Sequence, residues 1–213
     1  MPEQKPEPMP GRTPTEMMEI VHFLDESNKI ESEFSVQALE DAIDAWTEFY
    51  KKVELKPENL TIENMLAAHA ILLRNLDKEI AGKLRDCDVW IGMEHKIFVS
   101  KELLEAQITS WLKECDIAEA LKLSIDERDA LVQKWHVAFE DIHPFADGNG
   151  RIGRMLWQLQ RMMLELPVAV IDHRLKYQDY YPWFQKPEPK QVSKKRVIRP
   201  KLEAKPKAKK PKK

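Results

Sequence analysis

An all-α fold with one small β-hairpin is what this sequence predicts, on three observations. Apolar residues recur at helical spacing through most of residues 14–185, Ser or Thr stands ahead of five of those runs, and a single stretch alternates like paired strands. Helices packing on one another are the stable way to bury such stripes.

The first helix opens at Thr13. Thr13 and Glu16 make a capping box, Pro14 takes the first helical position, and Met17, Ile20, Val21 and Leu24 supply the apolar stripe. Ser35 caps a second run with Val36, Leu39, Ile43, Trp46 and Tyr50 on one face, and "SNKIESE" lies between the two. Thr61 caps a third, which carries Leu66, His69 and Leu73. The hairpin signal is "DVWIGMEHKIFVS", residues 88–100, two β-rich runs around Gly92 to Lys96. Beyond it, Ser100 caps a helix with Leu104, Ile108, Trp111 and Leu112. Ser124 and Glu127 form a second capping box ahead of Leu131, Trp135, Ala138, Phe139 and Ile142. A last long run, Ile152, Met155, Leu156, Leu159, Met162, Met163 and Leu166, stops at Pro167.

Charge divides the chain. Residues 186–213 carry thirteen Lys or Arg against two Glu, whereas residues 1–185 carry 34 acidic against 21 basic residues. We therefore expect residues 1–13 to be disordered up to the cap, residues 14–185 to form one domain, and residues 186–213 to be a basic disordered tail. Such a tail suits nonspecific contact with nucleic acid or another anionic surface, although no interleaved aromatics offer base stacking. Cys87 and Cys115 are too few for a disulfide framework or a zinc site, the start has no signal-peptide core, and no run approaches the roughly 18 apolar residues of a membrane span. A soluble cytoplasmic protein is the expectation.

"HPFADGNGRIGR", residues 143–154, is the stretch that promises chemistry. Gly148, Gly150 and Gly153 spell G-x-G-x-x-G, but a dinucleotide turn needs a strand before its first glycine. Here "ALVQKWHVAFEDIH" precedes it with helical spacing, and no Walker A pattern occurs. A loop between two helices fits better. Pro144 ends the incoming helix, and the next begins near Gly150, so its unsatisfied amides and positive dipole end face the loop. Arg151 and Arg154, three residues apart, reach toward one place. Asp147 supplies a hard oxygen suited to Mg²⁺, and His143 has the chemistry of a general base. A turn glycine, a capping histidine or a surface arginine would each be unremarkable alone; within twelve residues they point to a polyphosphate site.

The stretch resembles the signature of the Fic family, H-P-F-x-(D/E)-G-N-G-R-x-x-R, at every specified position. "KLRDCDVWIGMEHKIF" is similar to that family's arginine and hairpin flap, "LLEAQITSWL" to the helix after it, and "VIDHRLKYQDYY" to its closing segment. The resemblance implies a Fic-type helical bundle and a protein adenylyltransferase that uses ATP and Mg²⁺ to place AMP on a Ser, Thr or Tyr hydroxyl of a target protein. His143 would be the base and Asp147 the metal ligand. Gly148, Asn149, Gly150 and Arg151 would cradle phosphate oxygens, Arg154 would grip the γ-phosphate, and Phe145 would anchor the loop. Val89, Trp90, Ile91 and Gly92 would dock the target by strand addition.

Ser27 to Glu31 also resembles the family's inhibitory pattern, (S/T)-x-x-x-E-(G/N), with Ser32 departing from the sixth position. That implies an inhibitory Glu31 pairing with Arg154. Gln158, after Trp157, and "LELPV" depart from the family where it contacts the base. Two other functions stay open: removal of AMP by the same site, and a non-catalytic nucleotide-binding protein that keeps the fold. His69 and His136 fall within helical runs, and His69, on the apolar face, reads as a core histidine; the nine methionines read mostly as packing, His95 as a turn residue, and His22 and His173 as lacking ligand-spaced partners, so no zinc is expected.

Overall fold

The computed structural model describes residues 13–91, 96–97 and 99–185. Residues 1–12, the turn with Gly92 and the basic tail 186–213, all singled out above, lie outside the described residues.

Eight helices follow in order among the described residues: α1 Pro14–Ile30, α2 Val36–Val53, α3 Ile62–Leu72, α4 Leu104–Glu114, α5 Ile117–Ala120, α6 Ile125–Ile142, α7 Asn149–Met163 and α8 Lys176–Asp179. Between α3 and α4, β1 Trp90–Ile91 runs antiparallel to β2 Lys96–Ile97, with Trp90 opposite Ile97 and Ile91 opposite Lys96.

Local signals set the helix starts. Thr13 Oγ1 accepts from the Glu16 amide while the Glu16 carboxylate accepts from the Thr13 amide, and Ser124 with Glu127 repeats the arrangement at α6. Ser35 and Thr61 cap α2 and α3 through their side chains. Ser100 differs. It precedes a 3₁₀ turn, Lys101–Leu103, without a side-chain cap bond, and α4 begins only at Leu104.

Two expected faces are rotated. On α2 the buried residues are Ala38, Asp41, Ala42, Ala45, Trp46, Phe49 and Val53, while Val36 is 74 % exposed. On α1 Phe23 is buried beside Ile20 and Leu24, and Val21 faces outward. Three small alanines let α2 approach its neighbours closely, so the contact line follows Ala and Phe rather than the largest aliphatics. "SNKIESE" is not a linker either: Ser27–Ile30 is the last turn of α1 and Glu31 is its C-cap. Asn28 Nδ2 donates to the Ala38 carbonyl, which fixes that end against α2.

Helix α7 lies at the centre. Thirteen of its fifteen residues are buried, including Arg151, Arg154, Gln158, Gln160 and Arg161. A helix buried all round is the core of its domain, and polar side chains there must find partners inside the protein. Gln158 Oε1 accepts from the Ala169 amide, and Arg161 Nε donates to the Pro167 carbonyl, so both hold the segment that follows α7.

Candidate active site

The turn between α6 and α7 carries the chemistry. His143 is the C-cap of α6 at φ +51°, a left-handed conformation uncommon outside glycine. Its Nδ1 lies 3.3 Å from the Glu140 carbonyl. Only an N–H can bond a carbonyl, so Nδ1 carries the proton and Nε2 the lone pair.

Arg85 holds this turn in place. Its Nε donates to the His143 carbonyl at 2.7 Å, Nη1 to Cys87 O at 2.8 Å and Nη2 to Val99 O, while its own amide donates to Pro144 O at 3.0 Å. One buried guanidinium thus satisfies carbonyls at the end of α6 and ties both flanks of the hairpin to the His143 turn. Its place at a helix C-terminus also suits a cation. Arg85→Ala is expected to lower unfolding stability by about 2–4 kcal/mol, because several carbonyls lose their donor at once. Thermal or denaturant unfolding checks this, and a change below about 0.5 kcal/mol would contradict it.

The loop closes on itself. Asn149 accepts from the Phe145 amide and donates to the Phe145 carbonyl, both at 2.8 Å, so its side chain is spent on loop geometry. Phe145 is buried and stacks on His69, ring centroids 4.0 Å apart and planes 9° apart. His69 accepts from the Gly82 amide at Nδ1, so Nε2–H donates to the Asp147 carbonyl at 3.0 Å. Burial above all keeps His69 below the ordinary imidazole range. It is a core histidine, as read from its spacing, and one that fixes the loop.

Gly148, at φ +77°, begins α7 with no side-chain cap, and no acidic residue stands in the first turn. Its own amide bonds Asp147 Oδ1 at 2.6 Å, which leaves the amides of the following turn as the ones helix geometry offers an anion. Asp147 exposes 67 % of its side chain, and Arg151 Nη2 approaches its Oδ2 at 3.4 Å. Arg151 is buried with Nε unpartnered, and burial lowers its pKa.

Arg154 is enclosed too, 1 % exposed. Nε donates to Ser27 Oγ at 2.8 Å, Nη2 to Ser27 O at 2.8 Å and to Glu31 Oε1 at 2.7 Å, and Nη1 to Tyr180 OH at 3.2 Å. Burial works against its charge, but Tyr180 and Glu31 outweigh that and raise its pKa. Gly150 makes the pairing possible, since a Cβ there would stand 2.3 Å from Glu31 Oε1. The structure therefore brings His143, Asp147, Gly148, Asn149, Gly150, Arg151, Arg154 and Glu31 into one neighbourhood. Val89, Trp90 and Ile91 belong to the hairpin that Arg85 tethers.

Sequence reasoning missed Tyr180 and undervalued His136. Tyr180 OH donates to His136 Nε2 at 2.8 Å while it accepts from Arg154, inside a cluster with Trp157, Trp183 and Phe184. Burial, then Arg154, pushes His136 down to about 3. The unfolded chain therefore binds the proton first. The stabilising contribution of His136 is complete above pH ~6.5 and is lost as pH falls toward that folded value. His136→Gln is expected to flatten the fall of the thermal midpoint between pH ~6.5 and ~4.5; parallel slopes in the two proteins would refute the assignment.

The absence of partners inferred for His22 and His173 is overturned. The fold groups His22 with Asp25 and Glu26, and Glu26 with Asp172 and His173. Long-range packing of α1 on the segment after α7 makes the second group, whereas the first is spaced i, i+3, i+4 on α1 itself and is legible in the sequence. Glu26 there accepts from both the amide and Nδ1 of His173, at 2.7 and 2.8 Å. Cys87 and Cys115 are both free thiols, and no helix among the described residues is long and apolar enough to cross a membrane.

The helical bundle thus presents a histidine and two buried arginines on one glycine-rich turn. The model of the Fic/DOC family matches residues 59–160. Among curated proteins it is similar to protein adenylyltransferase fic-1 of Caenorhabditis elegans, 29 % identical over 117 residues that cover 54 % of this chain and 22 % of the relative. Protein adenylyltransferase Fic of Culex quinquefasciatus is 30 % identical over 128 residues, covering 59 % and 24 %. The chain thus spans about a quarter of those relatives' length. Among solved structures, a Fic domain containing signaling protein from Bacteroides thetaiotaomicron VPI-5482 superposes with TM-score 0.61 at 19 % identity, covering 79 % of this chain and 74 % of that one. C. elegans Fic-1 gives 0.60 at 19 % identity, covering 81 % and 58 %. At such identity the likeness is one of fold.

Proposed function

We propose that residues 14–185 act as a protein adenylyltransferase, moving AMP from ATP onto a Ser, Thr or Tyr hydroxyl of a target protein with release of pyrophosphate. The observation that carries this reading is the turn itself: a histidine with its lone pair on Nε2, followed by a helix start that has no side-chain cap and carries the buried Arg151 and Arg154. The names of the relatives, protein adenylyltransferases, support it.

In this reading His143 Nε2 takes the hydroxyl proton as the hydroxyl oxygen attacks the α-phosphorus. The new P–O bond forms while the bond to pyrophosphate breaks, and Nδ1–H stays on the Glu140 carbonyl. The first-turn amides of α7 and Arg151 stabilise negative charge on the phosphates, and Arg154 takes the γ-phosphate. Little covalent chemistry is asked of the protein, so positioning supplies most of the rate. Asp147, mostly exposed and next to the amide turn, fits a Mg²⁺ ion, which when bound would neutralise phosphate charge and aid the leaving group. The paired strands would receive the target's main chain through Val89, Trp90, Ile91 and Gly92.

Glu31 occupies the guanidinium that the γ-phosphate needs, so the domain holds itself inactive. One feature favours a second reading. Glu31 keeps 38 % of its side chain exposed while bonded to Arg154, so the same carboxylate is able to orient a water that removes AMP from a modified target. Replacing Glu31 separates the two: transfer rises on the first reading and removal falls on the second. Incubation with Mg²⁺ and α-labelled ATP tests the proposal. Label on the Glu31→Gly protein that vanishes in Glu31→Gly/His143→Ala supports it. Equal labelling of both overturns it in favour of a non-catalytic nucleotide-binding protein.

A further inference from the structure

Two residues beside the turn have no part in the reaction as described. Glu140 stands on α6 one turn before His143, its side chain 13 % exposed and its Oε2 3.8 Å from His143 Nδ1. Its Oε1 is buried without a hydrogen-bond partner. Gly153 sits inside α7, where glycine weakens a helix relative to alanine. The two unfavourable choices coincide in space. A Cβ on Gly153 would lie 2.5 Å from Glu140 Oε1 and 3.0 Å from Phe139 Cδ1, so only glycine leaves the notch in which the carboxyl is seated. A buried carboxyl oxygen left unpaired is costly, and retaining both features calls for a function.

We infer that Glu140 is a positioning residue for His143. Its carboxyl, seated against Gly153, steadies the imidazole and, when ionised, stabilises the imidazolium formed as Nε2 takes the hydroxyl proton. The catalytic consequence rests on the AMP-transfer reading; the coupling of the two side chains does not. No proton passes to Glu140, since Nδ1 keeps its own. The charged and titratable groups around Glu140 are His143, His136 and Asp141 on α6, Arg154 on α7, Glu31 at the end of α1, and Tyr180. Burial, opposed by Arg154 and reinforced by Glu31 and Asp141, pushes Glu140 up to about 8. Glu140 is therefore mostly a neutral acid at neutral pH and a carboxylate on the alkaline side.

Glu140→Gln copies the neutral acid and cannot ionise, which makes the effect visible as a pH profile. In the full chain with ¹³C-labelled histidine, the His143 resonance is expected to show a second inflection near pH 8, absent from Glu140→Gln and altered in Gly153→Ala. In the Glu31→Gly background, AMP transfer with and without Glu140→Gln should coincide at acid pH. On the alkaline side the carboxylate form should be faster by about three- to tenfold in kcat, with KM for ATP unchanged. Divergence should begin at lower pH than the inflection, because the Glu31 charge that favours the neutral acid is gone. A His143 titration identical in wild type and Glu140→Gln overturns the inference, as does an equal rate loss at every pH, which marks packing alone. An inflection lost in Glu140→Gln, with no AMP transfer by any variant, upholds the pair and overturns the AMP-transfer reading instead.

Discussion

Glu31→Gly is expected to raise AMP transfer by about 10²-fold. Arg154 is buried and its Nη2 is shared between Glu31 Oε1 and the Ser27 carbonyl, so an incoming γ-phosphate must displace a charge-assisted bond before it gains one. Breaking a buried pair costs about 3–5 kcal/mol when nothing replaces the lost partner. Phosphate replaces it here and Glu31 keeps 38 % of its side chain exposed, so the barrier removed lies at the low end of that range, ~3 kcal/mol, which is roughly a hundredfold in rate. Ser27 and Tyr180 still hold the guanidinium in the variant, so Arg154 stays aimed at the turn. ATP should accordingly raise the thermal midpoint of Glu31→Gly more than that of wild type. Single-turnover labelling with α-labelled ATP measures the rate, and unchanged labelling would end the case for self-inhibition.

His143→Ala, in the same background, is expected to lose about 10³-fold in transfer while nucleotide affinity stays within about twofold. The split follows from geometry. His143 stands on α6, across the turn from the amides and arginines of α7 expected to bind phosphate, so its removal takes away the base and little of the binding surface. Asn149 and Phe145 close the loop without help from the imidazole. Isothermal binding of a non-hydrolysable ATP analogue beside the transfer rate measures both halves. Loss of binding and transfer in equal proportion would show that His143 shapes the loop rather than taking a proton.

What could be read from the sequence was local. The capping boxes at Thr13 and Ser124 and the side-chain caps at Ser35 and Thr61 bond within their own helix starts, so a few adjacent residues sufficed. The glycine-rich turn was legible because a helix start with two arginines has one obvious use. The lining of Arg154 was harder. The Glu31 pairing rested on resemblance, since 123 positions separate the two residues. Tyr180 lies in a short run without clear period, and nothing in its spacing shows that it bridges His136 and Arg154. Arg85 looked like the arginine of a hairpin, yet its guanidinium serves the His143 carbonyl as well as carbonyls on both hairpin flanks. The buried face of α2 went astray for another reason: size ranks residues by hydrophobicity, whereas close helix approach there favours Ala38, Ala42 and Ala45.

The guanidinium of Arg154 is a meeting point of the earliest and latest described segments, taking Ser27 and Glu31 from the end of α1 and Tyr180 from just after α8. Lys176 Nζ, on the Ile30 carbonyl, joins the same two segments a second time. Whatever tugs on either flank of the bundle, a bound protein or a protease cut, therefore pulls on the groups that hold Arg154.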